Sequence, residues 1–135
     1  QSATITFGLT KVGLTPEFGS SYLLWRQIGY ARALEVLLTA RRIDADEALR
    51  IGLVNGVFAP AELLPQVKAI ASKMVSRGPQ ALALAKQAVR RGIHQNMHDG
   101  LQLEADLFGA ISSTAEMKEG MAAFLEKRKA SWVRG

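Results

Sequence analysis

The stretch TKVGLTPEFGSSYLL, residues 10–24, carries a single carboxylate, Glu17, directly behind Pro16 and among mostly apolar, uncharged neighbours. A charge withdrawn from water is costly unless it is paired or used. Two readings of Glu17 follow. It lies on a solvated loop or supports the start of the next helix, where acids are common. Alternatively it is a general base held in an apolar pocket.

Other side chains have types that could do chemistry. The run FGSSY offers Ser20 and Ser21, but it lacks the G-x-S-x-G elbow, and neither histidine stands near a triad partner in sequence. His94 and His98 are four apart with Asp99 adjacent, a metal-ligand spacing on a helix. No H-E-x-x-H pattern or third strong ligand accompanies them, so a solvated connection ahead of an Asp99 cap is expected, and no metal. Gly13 and Gly19 form no phosphate loop, because no G-x-x-x-x-G-K follows. Met117 and Met121 read as core filler.

The elements that would position these residues can be read from periodicity and caps. Ala3 to Phe7 alternates with β-branched residues and predicts a strand. Ser20 or Ser21 caps a helix running through Tyr22, Leu23 and Trp25 until Gly29. A second helix runs from Tyr30 to about Thr39, with Leu34, Leu37 and Leu38 on one face. Asp44 caps ADEALRI, with Glu47 completing a capping box, and Gly52 ends that helix. LVNGVF, residues 53–58, predicts a second strand. After Pro60 the pattern is helical. Leu63, Val67, Ile70, Ala71 and Met74 form one stripe, and a helix from Pro79 to Gly92 forms the next. Leu101, Ala105, Phe108 and Ile111 make a third stripe. A last helix, capped by Ser113 or Thr114, carries Met117, Met121, Phe124 and Leu125. Residues 1–58 therefore read as the tail of an α/β layer, since two strands make no stable sheet alone. Residues 59–135 read as an all-helical extension.

The 135 residues suit one domain or a small domain with an appendage, large enough to bury about two-thirds of its unfolded surface. No apolar run approaches the roughly 18 residues of a membrane span. There is no cysteine, which excludes thiolate chemistry and makes an intracellular, cytoplasmic setting the expectation. The net charge is +5, but the basic residues are scattered and not interleaved with aromatics. That pattern argues against nucleic acid and for an anionic small ligand or solvated helix faces. The opening QSATITFG has no methionine and no signal-like pattern, and reads as a start within a strand, hence as a piece of a longer chain.

Three blocks, FGLTKVGLTPEFGSSYLL, GYARALEVLLTARRIDADEALRIGLVNGVF and GMAAFLEKRKA, together resemble the enoyl-CoA hydratase/isomerase (crotonase) superfamily. LTARRIDADEALRIGLVN is the most specific part. The match is to the C-terminal half of such a protein. The resemblance implies an α/β fold, the C-terminal part of a ββα spiral core over residues 1–58, followed by a helical oligomerisation domain over 59–135 that packs homotrimers, often paired as hexamers. It implies an acyl-CoA thioester as substrate, with no cofactor beyond the coenzyme A the substrate carries.

Hydratases of this family use two glutamates. One belongs to the part of the fold upstream of these residues, and the other lies in a P-E pair after F-G, where this chain has Thr10-Lys11. The loop GLTPEFG is similar instead to that of the Δ3,Δ2-enoyl-CoA isomerase branch, in which the acid after the proline is the catalytic base. By that resemblance Glu17 takes an α-proton and returns it at the γ-carbon, moving a double bond from position 3 to position 2. Leu14, Phe18, Tyr22 and Trp25 are then candidates for the apolar wall that raises its pKa. The enolate's two N–H donors come, in the family, from the upstream part. Phe124 and Lys127 match residues that touch the adenine and phosphate of coenzyme A; the plainer alternative is a core phenylalanine and a solvated lysine. Hydration of enoyl-CoA, or a non-catalytic CoA-binding protein on the same fold, are the other functions kept in view.

Overall fold

The structure, a computed structural model, describes residues 2–132. The chain divides into two compact units, Gln1–Val67 and Lys68–Gly135.

In the first unit, β1 (Thr4–Ile5) is followed by a 3-10 turn (Leu9–Val12) and two helices, α1 (Ser20–Ile28) and α2 (Tyr30–Thr39). β2 (Ile43–Asp44) leads straight into α3 (Ala45–Arg50). β1 and β2 pair antiparallel, Thr4 opposite Asp44 and Ile5 opposite Ile43. Gly29, at φ 87°, breaks the chain between α1 and α2, a conformation that favours glycine.

The strand expected over LVNGVF does not form, and the second strand is Ile43–Asp44 instead. Local bonds explain the difference. The N–H groups of Leu53 and Val54 both donate to the Ala48 carbonyl, at 2.8 and 3.2 Å. The Gln27 amide donates to the carbonyls of Gly52 and Leu53, at 3.3 and 2.9 Å. These bonds hold the first two residues of the segment, Leu53 and Val54, on α3 and α1 rather than in a ladder.

Asp44 caps α3 as expected, accepting from the Glu47 N–H at 2.8 Å. The return arm of the capping box is not made, because both Glu47 oxygens accept from Arg41 at 2.8 Å. That fork holds the Glu47 carboxyl below its ordinary pKa. Gly19, not a serine, sits at the α1 N-cap position.

The core gathers Leu24 and Ile28 of α1, Val36 and Leu37 of α2, and Ile43 of β2, with Ile5 and Phe7 packed against it. The buried face of α2 is Ala33, Val36 and Leu37, continued by Ala40. The expected face shares only Leu37 with it, and Leu38 is 69% exposed. Both stripes have helical spacing; the buried one places Ala33 and Val36 against α1 and the sheet.

The second unit takes in the end of α4 (Pro60–Val75), then α5 (Pro79–Gly92), α6 (Met97–Ser112) and α7 (Ala115–Leu125). Asn96 rather than Asp99 caps α6, accepting from the Asp99 N–H at 3.0 Å. Of the two α7 candidates it is Thr114 that accepts, from the Met117 N–H at 3.2 Å. Glu116 reaches from α7 to accept from the N–H groups of Gln80 and Ala81, at 2.9 and 2.8 Å, covering two donors that the start of α5 leaves unpaired. A Cβ at Gly78 would meet the Glu116 carboxylate, so a side chain there would have to displace it from these two N–H groups.

A second carboxylate fastens the tail. Glu119 accepts both Arg128 amino groups, at 2.6 and 3.0 Å, and the Ser131 N–H at 2.7 Å. The Trp132 indole donates to the Ser76 carbonyl at 2.9 Å. The Arg128 bonds first, then that of Ser131, hold Glu119 at a pKa of about 2. A carboxyl depressed in the folded state adds stability above its ordinary value and loses it on acidification. Unfolding free energy should therefore fall between about pH 4.5 and about pH 2 partly through this group. Glu119→Gln should flatten that part of a pH series of denaturant melts; an unchanged slope would show that the fork contributes nothing.

Candidate active site

A cavity of about 520 Å3 opens in the first unit. Its apolar wall is built from Phe7, Pro16, Leu23, Leu24, Leu37 and Leu53. Phe7, Leu24, Leu37 and Leu53 also belong to or pack on the core, so the wall is the outer face of the core itself. Glu17 is the one ionisable residue in the lining, which also includes Thr6, Thr10, Ser20 and Gln27.

The local backbone explains how Glu17 reaches this rim. Pro16 restricts the residue before it to extended conformations. Phe18 at φ 52° and Gly19 at φ 75° then form two successive left-handed residues before α1 begins. Ser20 closes the turn, donating to the Glu17 carbonyl from its N–H at 3.0 Å and from its hydroxyl at 2.6 Å. That hydroxyl is engaged with backbone, and no histidine lines the cavity.

Thr10 is fixed in the same manner. Its hydroxyl donates to the Leu37 carbonyl at 3.0 Å, tying the 3-10 turn to α2. Gln27 joins α1 to residues 52–53 from inside the lining. Sequence reasoning missed it, although Gln27 stands three and four residues from Leu24 and Leu23, on the same helix face.

The other candidates are placed as follows. Phe18 lines the cavity with its side chain 93% exposed. Leu14, Tyr22 and Trp25 are not in the lining. Tyr22 and Trp25 instead flank the Arg26 guanidinium, 3.7 and 4.2 Å from their ring centres, a cation–π arrangement. Phe124, 78% exposed, is no core residue. In the second unit it lines a cavity of about 560 Å3 together with Arg77, Arg128, Lys129 and Trp132. Lys127 is exposed just past α7 at φ 53°. Among the described residues no three His, Cys, Asp or Glu side chains are grouped closely enough to hold a metal ion, and no helix is long and apolar enough to cross a membrane.

One carboxylate on the rim of an apolar cavity suits proton transfer to or from a carbon of a substrate with an apolar chain. Comparison with known proteins gives the family. The family model for enoyl-CoA hydratase/isomerase matches residues 1–135. A crotonyl-CoA hydratase of Syntrophomonas wolfei is 48% identical over 129 residues, 94% of this chain and 50% of that protein. A short-chain-enoyl-CoA hydratase of Clostridium acetobutylicum is 46% identical over 95% of this chain and 50% of its own length. Among solved structures, an enoyl-CoA hydratase from Bacillus anthracis superposes with a TM-score of 0.94 at 38% identity, over 97% of this chain and 51% of that one. The chain thus spans about half the length of these relatives. They are named hydratases, which favours the hydratase alternative over the isomerase branch drawn from the GLTPEFG loop. The blocks read from the sequence, the cavity with its single acid, and a family match over the whole length agree: the chain belongs to the enoyl-CoA hydratase/isomerase family.

Proposed function

We propose that the protein hydrates short enoyl-CoA thioesters, with Glu17 transferring the proton at the α-carbon. The observation that carries this reading is the lone ionisable side chain lining an apolar cavity, in a chain 48% identical to a crotonyl-CoA hydratase. In hydration, water's oxygen bonds to the β-carbon and a proton reaches the α-carbon through an enolate. A carboxyl group at the rim suits the second step.

One observation favours a second reading, 3-to-2 isomerisation. That reaction moves a proton from the α- to the γ-carbon and requires only one carboxylate, and the lining contains one. Hydration also requires a group to orient the water, and the Thr10 hydroxyl is already committed to the Leu37 carbonyl.

The test compares kcat/KM of the full-length protein for hydration of crotonyl-CoA and for isomerisation of a 3-enoyl-CoA. Hydration is expected to be faster. A faster isomerisation would install the second reading, and no turnover of either ester would leave a CoA-binding protein without this chemistry.

Coenzyme A recognition by Phe124 and Lys127, and a homotrimer or hexamer, belong to the same proposal. The exposure of Phe108, Met121 and Leu125, at 71, 53 and 73%, supports an interface on the helical unit.

A further inference from the structure

We infer that Ser20 is a positioning residue for the acid–base group, an inference that rests on the reading of Glu17 just proposed. Glu17 is followed by two residues in left-handed backbone, and the first is phenylalanine rather than glycine. A bulky side chain in that region is strained, and persists only where the surroundings over-determine it. Its own side chain does not supply the restraint, because Phe18 is 93% exposed.

Ser20 supplies it from the other end of the turn. Its hydroxyl and its N–H both donate to the Glu17 carbonyl, at 2.6 and 3.0 Å. The chain from Glu17 to Ser20 is thereby closed on itself and set on the first turn of α1. Leu23 and Leu24 of the same helix form part of the cavity wall. Ser20 thus couples the backbone that carries the carboxylate to the helix that carries the wall. If the hydroxyl is removed, the N–H bond remains, but the turn can relax its left-handed residues and swing the carboxylate.

The experiment uses the full-length protein and four variants, Ser20→Ala, Ser20→Thr, Ser21→Ala and Glu17→Gln, measuring kcat, KM and Tm. Ser20→Ala is expected to lower kcat about tenfold or more with KM within about threefold, since small misplacements of a reacting group are expensive in rate. Ser20→Thr, which keeps the hydroxyl, should restore most of kcat. Ser21 makes no side-chain hydrogen bond among the described residues, and Ser21→Ala should match the wild type. A merely structural serine would shift Tm without a kcat loss that threonine rescues. If Glu17→Gln is inactive while Ser20→Ala keeps its kcat, the positioning role falls and the role of Glu17 stands. If Glu17→Gln stays active, both fall together.

Discussion

Glu17→Gln in the full-length enzyme is expected to lower kcat by about 10²-fold or more while KM for the enoyl-CoA ester changes little. The amide is nearly isosteric, so the turn held by Ser20 and the apolar wall are both expected to survive the change. What disappears is the capacity to carry a proton. The loss should fall on kcat because the proton moves only on the way to the transition state. Glu17→Asp makes a useful partner. It keeps the charge but shortens the reach, and should fall between glutamine and wild type if the carboxylate acts at a defined distance. Steady-state kinetics on crotonyl-CoA and on a 3-enoyl-CoA check both substitutions. Activity within a few-fold of wild type for Glu17→Gln, with either ester, would remove this side chain from the mechanism and return it to the solvated-loop reading.

Glu17, which the structure places in the cavity lining, stands out in the sequence because it is alone. Residues 10–24 offer one carboxylate, so chemistry in that stretch had one place to go. The wall around it was less legible. Leu37 and Leu53 come to the cavity from 20 and 36 residues away in the chain, and no local pattern marks a residue for such an encounter. Leu14, Tyr22 and Trp25 lie near Glu17 in the chain but outside the cavity lining. The fold turns the two aromatic rings among them to Arg26 instead.

The same distinction separates the elements. Asp44 and Gly29 were readable because caps and breaks are local chemistry. The α2 face was not, since ALEVLL is apolar on nearly every side and only tertiary packing selects Val36 over Leu38. LVNGVF has strand composition, yet the N–H groups of Leu53 and Val54 are taken by the Ala48 carbonyl and the Leu53 carbonyl by Gln27, partners that composition cannot announce.

Because the wall of the cavity is the outer face of the core, a substitution deep in that core should register at the site. Ile43 is 0% exposed. It pairs with Ile5 across the two-stranded sheet, and the next residue, Asp44, is fixed as the α3 cap. The backbone on both sides is therefore held, and the neighbours have little freedom to collapse into a vacated space. Ile43→Ala is expected to cost about 2–5 kcal/mol, towards the upper part of that range, and Ile43→Val only about 0.5–1.5 kcal/mol. Two compact units make a single melting curve ambiguous, so the measurement belongs to the first unit alone. Native-state hydrogen exchange at the Val36 and Leu37 amides of α2 provides it. Protection there should fall sharply in Ile43→Ala and only slightly in Ile43→Val. Leu24 and Leu37 touch both the cluster and the cavity, so Ile43→Ala should also raise KM for the enoyl-CoA ester before it unfolds the protein. A loss below about 1 kcal/mol in the alanine variant would mean that the space around Ile43 closes readily, and that core and cavity wall are mechanically separate.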